Sequence, residues 1–237
     1  MGARCTPGIF VTGTDTGVGK SLVSAALIRV VGSHGRRTIG LKPVASGARW
    51  TPSGFCNDDA LLLNATSTVR IPLELTNPYC FEPAIAPHLA AAEAGVTVTA
   101  EELEAWYERA SAGADIAVVE GAGGWRTPLH PSGYLSDLPE RLGLGVILVV
   151  GLRLGCLNHA RLTFEAIQAS RSCRFAGWVG NRIDRGFERL DANLASLERL
   201  LGCAPLAVIP PLAEASVAEV AALLDRPEVL VAVGCPD

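Results

Sequence analysis

The stretch IFVTGTDTGVGKS, residues 9–21, decides the fold. Its first four residues, Ile9 to Thr12, form a short strand-like run; a glycine-rich loop follows, and then an apolar pattern of helical period from Ser21 to Val31. Strand, loop and helix in that order bring free backbone N–H groups and the positive end of a helix dipole to one point, which makes a site for an anion. Lys20 is then placed to reach the terminal phosphates of a nucleotide, and Ser21 to offer its hydroxyl to a magnesium ion. The usual phosphate-loop spacing is not met literally, because Thr14 stands where the first glycine belongs and Gly13 lies one residue too early. The loop is therefore a variant with an additional spacer. The plainer alternative is a glycine-rich turn carrying a surface lysine, and the strand and helix on either side argue against it.

Outward from this stretch, short apolar runs alternate with longer helical patterns, the signature of a parallel sheet covered on both faces. Strands are expected at Ile9–Thr12, Thr38–Lys42, Ile116–Glu120, Val146–Val150, Ala176–Gly180 and Ala207–Ile209, with a weaker one at Val229–Val233. Helices are expected near Ser21–Val31, Asp58–Leu63, Ala100–Ala112, Asn158–Ser170, Leu190–Leu201 and Ser216–Leu224. Thr99 followed by Glu102 reads as a capping box for the third of these. No repeat and no linker divides the chain, so the expectation is a single α/β domain over residues 1–237. Its sheet is mostly parallel and doubly wound, with helices on both faces, in the manner of P-loop NTPases. The segment Pro43–Val98 is long and turn-rich for a crossover, and long loops of this kind are usually functional.

Composition removes several classes of function. With 237 residues, 49% hydrophobic and 19% charged, the chain has the length and apolar content to bury a core. A net charge of −4 and the absence of a basic stripe argue against nucleic acid as a partner. The longest apolar stretch, Leu142 to Leu152, contains three glycines and is about half the roughly 20 residues that span a bilayer, so it reads as a buried strand, and no membrane partner is expected. No basic segment followed by an apolar one opens the sequence, so no secretory leader is expected. Met1 to Thr6 fits a myristoylation pattern and Asn64-Ala65-Thr66 a glycosylation sequon, both read as chance matches. The 7 cysteines are odd in number and form no CxxC pair or Cys/His cluster, which points to reduced thiols in a cytoplasm. Of the 20 basic residues, 18 are Arg and only two, Lys20 and Lys42, are Lys.

Lys42 lies in LKPVASG, residues 41–47. A lysine at the carboxyl end of a parallel strand faces the crevice where doubly wound sheets bind ligands, and Pro43 stops the strand after it. Ser46 and Gly47 suit close approach to a small polar ligand. Taken on this segment alone, a solvated strand-end lysine is the plainer reading. A third motif, IAVVEGAGG at residues 116–124, is an apolar run ending in Glu120, the shape of a strand whose terminal carboxylate holds magnesium. The glycines after it leave N–H groups for a second oxyanion. Asp58 and Asp59 open a short helix in the long segment, where a charge pair at a helix N-terminus is the competing reading. His34, His88, His130 and His159 are scattered and read as structural. Two lysines and two glycine loops thus assemble a site for a nucleoside triphosphate and a second anion, and phosphoryl transfer needs little more than positioning and charge neutralisation.

The blocks GTDTGVGKS, LKPVASG, VEGAGGW, LVVGLRLGCLNHA and GWVGN, in this order from about residue 9 to 214, resemble the successive signatures of the dethiobiotin synthetase family. The resemblance implies a homodimeric, ATP-dependent enzyme that turns 7,8-diaminononanoate and carbon dioxide into dethiobiotin, with ADP and phosphate as by-products. It implies a carbamate that is phosphorylated and then attacked by the second amine. On this resemblance Lys42 is the active-site lysine, and Lys20 belongs to the phosphate loop with Gly17, Val18, Gly19 and Leu22. Magnesium falls to Ser21, Asp59 and Glu120; Thr16, Ser46 and the amides of Gly121, Ala122, Gly123 and Gly124 line the diamine and carbamate site, and Glu120, Gly121, Ala122 and Gly123 also count among the nucleotide contacts. Asn158 is similar to the residue that reaches the substrate carboxylate across a dimer interface, and Asn181 with Pro210, Pro211 and Leu212 would contact the base.

Departures from the family are visible as well. Gly17 stands where members often have Glu, Ser21 where they have Thr, and Asn193 near a Tyr of some members. Asp184 completes an N-x-x-D spacing with Asn181 that is similar to guanine readers, which leaves base preference open. The main rival is a ParA- or MinD-like regulatory ATPase, which would carry a second lysine near Thr14 and Asp15 and a basic or amphipathic docking surface. A cobyrinate-type amidotransferase synthetase would need a further glutaminase domain.

Overall fold

The computed structural model describes residues 6–52, 54–211 and 216–235. The chain begins β1 (Gly8–Gly13), α1 (Lys20–Ser33), β2 (Thr38–Leu41), β3 (Val44–Ser46), β4 (Arg49–Thr51), β5 (Gly54–Cys56), α2 (Asp58–Thr66), α3 (Leu73–Thr76), β6 (Tyr79–Phe81), α4 (Pro87–Glu93) and α5 (Ala100–Ala110). It continues β7 (Ile116–Glu120), β8 (Pro128–His130), β9 (Gly133–Tyr134), α6 (Asp137–Leu142), β10 (Gly145–Gly151), α7 (Cys156–Gln168), β11 (Arg174–Asn181), α8 (Leu190–Leu201), β12 (Ala207–Ile209), α9 (Val217–Leu224) and α10 (Pro227–Ala232).

Six of these strands form the central sheet, in the order β12-β11-β10-β1-β7-β2, and every pair in it is parallel. The alternation of side chains along each strand sends residues to two separate cores. Phe10, Leu148 and Trp178 face the side covered by Trp106 and Tyr107 of α5, Leu138 of α6, Ile167 of α7 and Leu197 of α8. Ile9, Val11, Ile147 and Val149 face the other side, covered by Leu27 and Ile28 of α1 and by Val220 and Leu224 of α9. A strand buried on both faces cannot show a polar–apolar alternation, which is why β10 reads as the unbroken run GVILVVG. Each fully buried Leu, Ile or Val contributes about 1.5–3 kcal/mol relative to leaving it in water.

The helix-start signal at Thr99 is realised as hydrogen bonds. Thr99 accepts from the amide of Glu102 while the Glu102 carboxylate accepts from the amide of Thr99, and Ser216 and Glu219 repeat the device at α9. Val229–Val233, expected as a strand, is instead the body of α10. Pro227 sits in its first turn, where a missing N–H costs nothing, and Val229 and Leu230 are buried in the second core. A short apolar run does not distinguish strand from buried helix, and proline was the deciding signal. The long segment Pro43–Val98 is not a bare loop: it holds β3 to β6 and α2 to α4, with β3 and β6 forming a two-stranded parallel sheet of their own.

Candidate active site

The site is assembled at the carboxyl ends of β1, β2 and β7, which are neighbours in the sheet. Leu41 of β2 is level with Val119 of β7, so one step further Lys42 stands beside Glu120 and both turn to the face that carries α1. The backbone of Lys42 is pinned on both sides: its N–H donates to Thr76 O at 2.8 Å and its C=O accepts from Asn77 Nδ2 at 2.7 Å. Its Nζ donates to Glu120 Oε1 at 2.6 Å, to Asp59 Oδ2 at 2.9 Å and to Gly121 O at 3.3 Å. Ser21 Oγ donates to the same Glu120 oxygen at 2.8 Å. Asp59 is aimed by Asn57, which caps α2 through its Oδ1 and donates through its Nδ2 to Ser46 O at 3.2 Å.

Four ionisable groups in so small a space perturb one another. Burial, and after it the ammonium of Lys42, lowers the pKa of Lys20 to about 8. Burial works against the charge on Lys42 as well, yet Glu120 and Asp59 together outweigh it and hold its pKa above the ordinary value. Burial would raise Asp59, and Lys42 overrides it, so its carboxyl titrates below the usual range. Burial raises Glu120 above the usual range, against the pull of Lys42.

The phosphate loop closes over this cluster. Gly19 has φ +96°, and a Cβ there would lie 2.3 Å from Asn181 Nδ2, so neither the backbone shape nor the space admits a side chain. Asn181, at the end of β11, donates to Val18 O at 2.9 Å and so braces the loop from beneath. Asp15 holds the other end: its Oδ1 accepts from the amide of Thr16, its Oδ2 from Arg153, and its carbonyl takes the Lys20 ammonium at 2.9 Å.

Between the two glycine loops lies a cleft of about 900 Å³. Thr16, Gly17, Gly19, Lys20, Ser21, Lys42, Ser46, Asp59, Glu120, Ala122, Gly123 and Gly124 line it, which brings most of the sequence-derived candidates to one place. Val18 is buried beneath the loop and Leu22 is partly buried against the second core. Asn181 faces the loop, and Pro210 and Pro211 follow β12 at the same edge of the sheet; Leu212 lies outside the described residues. Asn158 is exposed in the first turn of α7 and is not part of the cleft wall.

One expectation needs correction. The four amides of residues 121–124 do not all face a ligand: Gly121 N–H donates to Val11 O at 2.9 Å and Gly124 N–H to Thr127 Oγ1 at 3.1 Å. Only the amides of Ala122 and Gly123 are without an acceptor among the described residues. Thr127, missed in the sequence, holds the loop in this shape, sharing its hydroxyl hydrogen between Ala122 O at 2.7 Å and Gly124 O at 3.0 Å. Asn57, Thr127 and the wall formed by Ala84 to Pro87 carried no signal because each acts through a loop closure that residue spacing does not reveal.

Residues 7–219 match the family described as AAA domain. The chain is 46% identical to the ATP-dependent dethiobiotin synthetase BioD of Aromatoleum aromaticum, over 92% of this chain and 96% of the relative. It is 50% identical to the protein of the same name from Pseudomonas paraeruginosa, again over 92% and 96%. The chain belongs to the ATP-dependent dethiobiotin synthetase family. Membership makes it an ATP-dependent ligase of biotin biosynthesis.

Solved structures add the fold. MinD of Pyrococcus horikoshii complexed with Mg-ADP superimposes with a TM-score of 0.54 at 17% identity, covering 91% of this chain and 85% of that one. A ParA family ATPase from Chlorobium tepidum gives 0.52 at 16% identity, covering 97% and 92%. The chain thus shares its P-loop NTPase architecture with these MinD and ParA structures at 16–17% identity. No described helix is long and apolar enough to cross a membrane.

Proposed function

We propose that the chain carries out ATP-dependent carboxylation and ring closure of 7,8-diaminononanoate to dethiobiotin. The observation that carries this reading is the position of the two lysines. The whole lysine complement, Lys20 and Lys42, lines one cleft, opposite the free amides of Ala122 and Gly123. A ParA- or MinD-like switch would carry its second lysine inside the phosphate loop, near Thr14 and Asp15; a second lysine on a different strand, at the end of β2, suits a reaction with a second anion to stabilise.

In the proposed sequence one amine of the substrate adds to carbon dioxide and, with loss of a proton, becomes a carbamate. A carbamate oxygen attacks the γ-phosphorus and ADP leaves, giving a carbamic–phosphoric anhydride. The second amine then attacks the carbonyl carbon, phosphate departs, a further proton is lost and the ureido ring is closed. Lys20 and the amides of the phosphate loop hold the triphosphate. Lys42 neutralises the carbamate and the phosphoryl group in transit, a task for which a compact ammonium is better shaped than a planar guanidinium. The amides of Ala122 and Gly123 face the same oxygens, and Ser46 and Thr16 orient the diamine.

The donor set Ser21, Asp59 and Glu120 fits magnesium. All three donors are oxygen, they converge on one point, and Glu120 Oε2 is buried without a partner among the described residues. Two carboxylates and a hydroxyl leave coordination positions for water and phosphate, as magnesium requires. When bound, the ion held by these residues would supply charge neutralisation to the phosphates. Asn158, exposed and outside the cleft of its own protomer, supports a homodimer in which it reaches the partner's substrate carboxylate.

The test is ADP formation by the purified protein, expected only with diaminononanoate, bicarbonate and magnesium together. Turnover without the diamine, or stimulation by DNA or lipid, would overturn the reading.

A further inference from the structure

Asp59 and Glu120 already hold a cation, and it is part of the protein. Lys42 Nζ touches Asp59 Oδ2 at 2.9 Å and Glu120 Oε1 at 2.6 Å, and Ser21 Oγ donates to that same Glu120 oxygen at 2.8 Å. Lys42 and Glu120 are 3% and 1% exposed, and the second Glu120 oxygen, Oε2, is buried with no partner among the described residues. A carboxylate as enclosed as Glu120 is costly to hold without a positive charge beside it, and Asp59, whose side chain is 38% exposed, flanks the same ammonium from the cleft side. A divalent ion bound to these oxygens would meet the ammonium at a separation of only a few ångströms, where two cations repel strongly in a medium of low dielectric constant. The two therefore exclude each other.

We propose that Lys42 is an exchangeable resident counter-ion: it occupies the metal position in the nucleotide-free protein and leaves Asp59 and Glu120 when a divalent cation enters with the triphosphate. The released ammonium remains in the cleft it lines together with Ala122 and Gly123, where the second anion is proposed to bind. Lys42 is thus withheld from the substrate anion until the metal–nucleotide is in place, which makes binding ordered and keeps the nucleotide-free protein nearly blind to divalent cations. This rests on the metal and nucleotide assignment proposed above.

The test uses manganese(II) as a probe, with free ion measured by electron paramagnetic resonance in the absence of nucleotide. Lys42→Met keeps the length of the side chain and removes its charge. It is expected to bind manganese(II) at least about tenfold more tightly than the wild type; equal affinities would overturn the exchange. Circular dichroism reports whether the variant is folded.

A second measurement needs no variant. With [15N]lysine the wild type has only two side-chain ammonium signals, from Lys20 and Lys42. A non-hydrolysable triphosphate alone is expected to move the Lys20 signal, and adding magnesium to move that of Lys42 as well. A Lys42 signal that stays in place while Lys20 responds would overturn the exchange and leave the nucleotide reading intact. If neither signal moves, both fall.

Discussion

Lys42 and Glu120 stand one step beyond the last paired rung of β2 and β7, with Nζ and Oε1 2.6 Å apart and both side chains buried. Their meeting is a property of the sheet register, and it sets the electrostatics of everything else in the cleft.

Lys42→Arg keeps the charge but brings a planar fork into a space shaped by Asp59 Oδ2, Glu120 Oε1 and Gly121 O. Diamine-dependent ADP release is expected to fall by at least about 10²-fold, the scale for losing one pre-positioned transition-state contact. Nucleotide affinity, read with a fluorescent triphosphate, is expected to change by less than about threefold, because Lys20 and the loop amides remain. An active Lys42→Arg enzyme would remove Lys42 from the role assigned to it.

Lys20 titrates at about 8 in the nucleotide-free protein, lowered chiefly by burial and then by Lys42. A bound triphosphate favours the ammonium and raises that pKa, so binding takes up protons around pH 8 and above. Affinity is therefore expected to weaken as pH rises through 8, and to be nearly flat below about pH 7, where Lys20 is already charged. Calorimetry at pH 8.5 in buffers of different ionisation enthalpy should show net proton uptake; no uptake would contradict the lowered value.

Gly19→Ala forces an alanine into φ +96° and a Cβ to 2.3 Å from Asn181 Nδ2. The backbone strain alone is of order 1–3 kcal/mol. The variant should lose nucleotide binding by at least about tenfold in affinity. Adding Asn181→Ala should restore only part of it, since the contact is relieved and the strain is not. Full rescue would show that the contact alone was responsible.

Thr127→Val has nearly the same shape and no hydroxyl, leaving Gly124 N–H and Ala122 O unpaired. A loss of about 1–3 kcal/mol in stability is expected by denaturant titration. Turnover should fall more than nucleotide affinity, because the amides of Ala122 and Gly123 lose their aim.

Lys42 and Glu120 were legible because each sits where an apolar run ends abruptly, and a strand end in a doubly wound sheet has a known destination; Lys20 was legible because it follows a glycine-rich loop at the start of an apolar helix. Asn57 and Thr127 were not legible. Each acts through a hydrogen bond to backbone across a turn, to Ser46 O and to the 122–124 loop, and such closures depend on φ and ψ rather than on residue type. The same limit applied to the loop amides, where composition counts N–H groups and says nothing of which ones Val11 and Thr127 already engage. Val229–Val233 misread for a different reason: five apolar residues are compatible with either period.

The rung that pairs Leu41 with Val119 also sorts the chain into parts that tolerate changes of length and parts that do not. Deleting one residue from β2 or β7 would turn every side chain beyond it to the opposite face and send Lys42 or Glu120 into the Trp106 side of the sheet. A deletion or insertion at Gly95, exposed in the turn that follows α4, is expected to leave the strand ends in place. Among relatives of this chain, length variation should therefore collect in the excursion between β2 and α5, while the number of residues in β2 and β7 should stay constant.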